Sequence, residues 1–405
     1  MYQFFIIFLI CLLSISPSCS EDISQLSFDQ ALELGIGNNP ELQSERLGLN
    51  IKKADIQTAK ARPNPLLFSD SGLAEDTYRV GLSYNFELGG KRKKRTEISR
   101  SILEKAELSL EEKILNFRQE LRNAYAALFY AGERLKLRTE LKLSFENLLK
   151  ISKKRESLGD IAQVDVLQVE TEMLTNESKY KKSIQTVGQA RTYFEYLLNT
   201  ELEEDIQLVS PQDSLDLESL AEDSLIKKAL LERPELKLNT ASQKIASQEL
   251  SLVKTKRIPD LVLSAGPDIV TGDTGKTSAF VIAQIELPIF NRRKGEIDSV
   301  KALKQQLNSQ KEGEANRIKA EVKKDLLTYT SQKEVLGDYD SKLIPVAKEY
   351  AAKRFRSFEL GKAPIWVALS AQTQYINAQL EYIELSLEFQ NTISSLERSI
   401  GVKIQ

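Results

Sequence analysis

Histidine does not occur in the 405 residues, and there are only two cysteines, two methionines and one tryptophan. The commonest general base and the commonest nitrogen ligand for borderline metals are therefore missing. Both cysteines, Cys11 and Cys19, fall in the first twenty residues. A chain cleaved there keeps one thiol at most, which excludes an internal disulfide. Long apolar runs are lacking too. The longest is Phe4 to Ile15 (FFIIFLICLLSI), too short to span a bilayer but suited to a secretory signal, although its n-region has no Lys or Arg. No later segment approaches 18 apolar residues, so a membrane-embedded mature chain must be a barrel. A basic excess is also absent: 56 basic against 58 acidic residues give a net charge of −2, which argues against nucleic acid.

What is present is helical periodicity, interrupted twice by strands. Ser27 can cap a helix that Asn39-Pro40 interrupts and Pro63-Asn64-Pro65 ends. Leu66 to Gly72 reads as a strand, followed by a short loop at Leu73 to Asp76. In the next stretch Val80, Leu82, Tyr84, Phe86 and Leu88 share one face, with Arg79, Gly81, Ser83, Asn85 and Glu87 on the other. That period of two, over about nine residues, is what crosses a bilayer in a tilted barrel. Gly89-Gly90 ends the strand, and a helical pattern then runs for about 60 residues. In it Ile114, Phe117, Leu121, Ala124, Leu128, Ala131 and Leu135 form a heptad seam. Leu158-Gly159-Asp160 predicts a tight turn. A return helix should show Tyr180, Ile184, Val187, Phe194 and Leu198 on one face.

The pattern then repeats. Pro234 answers Pro40 at an offset of 194 (234 minus 40), and Pro259 answers Pro65 at the same offset (259 minus 65). Ile285-Glu286-Leu287 answers Phe86-Glu87-Leu88, and Leu360-Gly361-Lys362 answers Leu158-Gly159-Asp160. The second hairpin loop reads as Gly266 to Thr277. The last helix carries another seam, at Leu369, Thr373, Ile376, Leu380, Ile383 and Leu387. The division is a signal peptide over 1–18, a first repeat over 19–198, a connector over 199–218 and a second repeat over 219–405. Two hairpins give four strands, which cannot close a membrane barrel alone, so the chain must oligomerise; three copies give twelve strands.

These residues resemble the TolC-family outer-membrane factors, through NPEL (Asn39 to Leu42), PNP, FELGGKR (Phe86 to Arg92) and the Leu-Gly turns. The ELGGKR junction is most like the cation-efflux (CzcC-like) branch. The resemblance implies a mostly α fold with a small β part. It also implies a homotrimeric duct in the outer membrane, a periplasmic helical tunnel, and docking on a periplasmic adaptor and an inner-membrane RND-type pump. Heavy-metal cations lead as cargo, with drugs or polypeptides as alternatives. In the family the turns form the periplasmic mouth, which places Gly159, Asp165, Gly361 and Trp366 there. The second acidic position is taken by Val367, beside Pro364.

Each site has a plainer reading beside the functional one. Asp165 also suits a helix N-terminus, which favours an acid. Trp366 could plug the mouth, meet the adaptor or be buried between helices. Lys91, Arg92, Arg292 and Arg293 are expected at the membrane–periplasm rim, near outer-membrane lipid phosphates. Cys19 is either a lipid anchor or an ordinary cleavage site, since Ser16 replaces the usual lipobox leucine. No catalytic constellation, metal site, cofactor motif or enzyme activity is read, and the many Glu and Lys residues suit solvated helix faces. The rival to a duct is a periplasmic coiled-coil scaffold, which leaves the paired hairpins unexplained.

Overall fold

The computed structural model describes residues 25–71, 77–203, 205–211, 221–270 and 277–401. The signal segment 1–18, Cys19, the Leu73 to Asp76 loop and part of the connector lie outside the described residues.

After strand β1 (Gln25–Leu26), helix α1 (Phe28–Asn38) begins with a reciprocal capping box. The Gln30 N–H donates to Ser27 Oγ at 3.3 Å, and the Ser27 N–H donates to Gln30 Oε1 at 2.9 Å. Asn39 closes α1 and opens α2 (Pro40–Lys60). Its side chain accepts the Glu41 and Leu42 N–H groups at 2.9 and 3.1 Å, and Pro40 sits where no donor is needed. Strands β2 (Leu66–Ser71) and β3 (Thr77–Phe86) make the first hairpin. Helix α3 (Lys91–Ser157) then runs 67 residues, about 100 Å at 1.5 Å per residue. Helix α4 (Gln163–Leu198) returns beside it.

The same order follows: β4 (Gln207–Leu208), α5 (Glu222–Glu232), α6 (Pro234–Thr255), β5 (Leu261–Val270), β6 (Thr277–Ile285) and α7 (Lys294–Asp338). A π-helical turn, Tyr339–Leu343, leads into α8 (Ile344–Glu359), and α9 (Ile365–Ile400) returns. The two hairpins join into one antiparallel sheet in the order β2-β3-β5-β6. One cluster joins Ala31, Leu42, Leu121, Tyr125 and Phe194, and a second joins Leu225, Leu236, Ile318, Val322 and Ile393. A third packs both helical hairpins together near their turns, with Phe145, Val169, Phe358, Ile365 and Ile376.

Four features differ from the sequence reading. The connector is not merely a linker: β4 pairs in parallel with β1, and the Tyr125 hydroxyl lies 2.8 and 2.6 Å from the Leu26 and Val209 carbonyls. Burial pushes that phenol up to about 12. Next, the loop expected over Gly266 to Thr277 is shorter, because β5 continues through Gly266, Pro267 and Asp268. Gly and Pro read as breakers there. Gly266 is needed because a Cβ would lie 2.0 Å from the Val80 carbonyl oxygen. Pro267 is tolerated where the β3–β5 ladder is interrupted, between Arg79↔Asp268 and Leu82↔Ala265.

Third, the long helix of the second half is broken by the π turn ahead of Pro345, whose ring and missing N–H remove a helical hydrogen bond. Fourth, of the face expected on α4 Phe194 and Leu198 are buried but Ile184 is exposed, and the buried stripe runs on through Val166, Val169, Asn176 and Ser183. Small and polar residues let α4 approach its neighbours closely, and they carry no hydrophobic signal.

Candidate functional site at the helical turns and the sheet rim

The α3–α4 and α8–α9 turns lie side by side, and they are built alike. After α3, the Gly159 N–H donates to the Glu156 carbonyl at 2.8 Å and the Asp160 N–H to the Arg155 carbonyl at 2.9 Å. After α8, Gly361 donates to Phe358 at 2.9 Å and Lys362 to Ser357 at 2.9 Å. Both are Schellman motifs, with the glycine left-handed at φ +80° and +70°. Arg155, which carried no signal in the sequence beyond being a last-turn cation, ties the turns together. Its Nη1 donates to the Phe358 carbonyl at 3.2 Å, and its guanidinium lies 4.8 Å from the Phe358 ring. Between the turns is a cleft of about 360 Å³, lined by Arg155, Asp160, Asp165, Lys362 and Pro364 among others.

Asp165 is the third helical residue of α4, where its Oδ2 accepts the Ala162 N–H at 3.3 Å. The equivalent cap of α9 is Pro364, which has no N–H to give. An acid at position 367 would have no cap donor to accept from, which accounts for Val367. Trp366 is not packed between helices but 55% exposed at the turn. Leu158, Val164 and Leu360 are exposed at the two turns as well.

At the sheet rim the basic run divides. Lys91 is only 8% exposed and its Nζ pairs with Asp260 at 2.7 Å, while Asp260 also accepts the Leu88 N–H at 3.0 Å. Lys94 donates to the Ser251 carbonyl at 3.1 Å, and Arg95 pairs with Glu87. Only Arg92 and Lys93 of the run point to solvent. In the second half Arg292 is exposed, and Arg293 pairs with Glu296 at 2.8 Å.

The sheet itself is two-faced. Val80, Leu82, Phe86, Val281 and Ile285 project from the apolar face. The other face carries Asp70, Arg79, Ser83, Ser264 and Asp268, with Arg79 Nε 3.5 Å from Asp268 and the two serine hydroxyls 3.0 Å apart. Phe68 and Phe280 also lie on this polar face, ring centroids 6.0 Å apart, with both rings against Gly81. Among the described residues no group of three His, Cys, Asp or Glu could hold a metal. No described helix is long and apolar enough to cross a membrane.

Comparison with known proteins gives a consistent picture. The family of outer membrane efflux proteins matches residues 31–192 and 225–402. The cobalt-zinc-cadmium resistance protein CzcC of Cupriavidus metallidurans is 24% identical over 389 residues, covering 94% of this chain and 91% of its own. Among solved structures, CusC superposes with a TM-score of 0.78 at 16% identity, covering 93% of this chain and 92% of its own. The CmeC outer membrane channel of Campylobacter jejuni gives 0.77 at 15% identity, covering 92% and 85%.

Proposed function

Because this chain belongs to the outer membrane efflux protein family, we propose that three copies close into a passive export duct for heavy-metal cations. The observation that carries this reading is the four-stranded amphipathic sheet with two open edges, set on helical hairpins of which α3 alone is about 100 Å long. In lipid the outer edges of β2 and β6 must pair, and three such sheets form a ring of twelve strands. The helical hairpins continue that ring as a periplasmic tunnel. Within each chain, residues 19–198 and 219–405 act as two repeats joined by the connector.

The turns are the mouth of the tunnel. Gly159 and Gly361 shape it, Asp165 brings one carboxylate per copy towards the axis, and Trp366 offers an exposed aromatic to a periplasmic adaptor. An inner-membrane pump of the RND type supplies the energy. Cations lead as cargo for two reasons: the likeness to a cobalt-zinc-cadmium resistance protein and the ELGGKR junction at Glu87 to Arg92.

Single-channel conductance of the detergent-purified protein in a planar bilayer, with its mass measured in parallel, tests this. Discrete steps from a trimer are expected, and Asp165→Ala should give larger openings that divalent cations block less. A protein soluble without detergent and silent in the bilayer would overturn the duct.

A further inference from the structure

The two halves differ where strand meets long helix. Residues 87–90 join β3 to α3, but residues 286–293 join β6 to α7. The longer junction reads Glu-Leu-Pro-Ile-Phe-Asn-Arg-Arg, and its apolar side chains are not folded back. Leu287 and Ile289 are exposed, and Phe290 is 99% exposed. An aromatic ring wholly in water is unfavourable relative to burial. The first-half junction is shorter and held closer, with Gly89 against Thr255 and Ile258 of the same chain and Leu88 its one exposed apolar side chain.

Two observations identify what covers this segment. It continues the apolar face of β6, where Val281 and Ile285 project before Leu287. It also ends in cations: Arg292 is exposed, and Arg257 Nε, on the segment entering β5, donates to the Arg292 carbonyl at 2.9 Å. The nearby carboxylates are Glu296, which pairs with Arg293, and Glu286. Apolar groups beside unneutralised guanidinium groups, just below a membrane strand, match the boundary between acyl chains and anionic head groups.

We propose that residues 287–293 form a membrane foot. Leu287, Ile289 and Phe290 insert into the periplasmic-side lipid boundary, and Arg257 and Arg292 hold the phosphate of an anionic phospholipid. The foot rests on the outer-membrane reading above, and it occurs once per chain because the shorter first junction has no room for it.

The test uses the full-length protein in vesicles, with Trp366→Phe removing the native tryptophan and either Phe290→Trp or Val281→Trp supplying a probe. Lipids brominated near the top of their acyl chains should quench both probes. Brominated phosphatidylglycerol diluted in phosphatidylcholine should quench the position-290 probe about twice as strongly as brominated phosphatidylcholine at the same fraction. Arg257→Gln with Arg292→Gln should bring that ratio to one. If the position-281 probe is quenched and the position-290 probe is not, the foot is overturned while the duct stands. A blue-shifted, unquenched 290 probe would place Phe290 against a second copy of the chain. If neither probe is quenched, the foot fails together with the membrane reading.

Discussion

Arg233 occupies the place in the second half that Asn39 holds in the first, and the two close the same bend by different physics. Asn39 caps α2 with its own amide oxygen. Arg233 is fully buried and pairs with Glu235 and Glu321, while Arg398 approaches Glu235 at 3.5 Å. Removing a cap costs about 1 kcal/mol, whereas removing one partner of a buried ion pair costs about 3–5 kcal/mol. Asn39→Ala should therefore be mild and Arg233→Ala severe, as read from denaturant midpoints in detergent. The network also has a pH signature. Burial alone would raise the Glu235 carboxyl, but the hydrogen bonds and charge of Arg233, with Arg398, outweigh it and hold the group below its ordinary value of 4.5. A depressed carboxylate stabilises fully above its unfolded value, and that contribution is lost as pH falls through the folded value. Stability should thus decline on acidification below about pH 4.5, and Glu235→Gln should flatten that limb. Burial raises Glu112 and Asp325 instead, so their contributions run the other way and leave the acid limb to Glu235 and similarly depressed groups. An unchanged acid limb in Glu235→Gln would refute the assignment.

Elements announce themselves when one residue type has one reason to be present. The left-handed glycines 159 and 361 were legible because little else ends a long helix so abruptly, and alanine at either should cost about 1–2 kcal/mol. The heptad seam of α3 was legible for a similar reason: Phe117, Leu121 and Ala124 are buried as the spacing requires. Gly266 misled because glycine has two uses. It read as a loop residue, yet it lies within β5, against the Val80 carbonyl. The distinction depends on a neighbour 186 positions away (266 minus 80), which no local pattern contains. The same is true of Tyr125 beneath the β1–β4 pair, and of Arg155 across the two turns. Of the site, then, the turns were legible, but not what holds them together, and Lys91, expected near lipid phosphates, is instead buried against Asp260. Gly266→Ala should prevent β3 and β5 from joining and lower the yield of heat-modifiable trimer on a gel. Gly132→Ala is the control, because nothing lies within 4 Å of its added carbon, and in a helix interior it should stabilise by up to about 1 kcal/mol.

At the scale of the whole molecule, the question is what the proposed twelve-stranded barrel would present to a passing ion. Strand register places Asp70, Arg79, Asp268 and Ser278 in one row across the polar face. Two carboxylates against one guanidinium leave one negative charge per chain, hence three around the lumen of the proposed trimer. One step nearer the helices, Phe68 and Phe280 cover Gly81 and add no charge. A ring of like charge in a wetted pore enriches the opposite ion, over a range of about 10 Å at 0.1 M salt. The duct should therefore prefer cations, as judged by the reversal potential across a potassium chloride gradient at low ionic strength. Asp70→Asn with Asp268→Asn changes the row from minus one to plus one per chain, so the reversal potential should move toward anion preference and regain little at high salt. The variant removes no apolar contact on the lipid face, so insertion and trimer mass should be unchanged. A reversal potential indifferent to this double substitution would mean that the polar face does not line the conduction path, which would undo the closure of three sheets into one barrel.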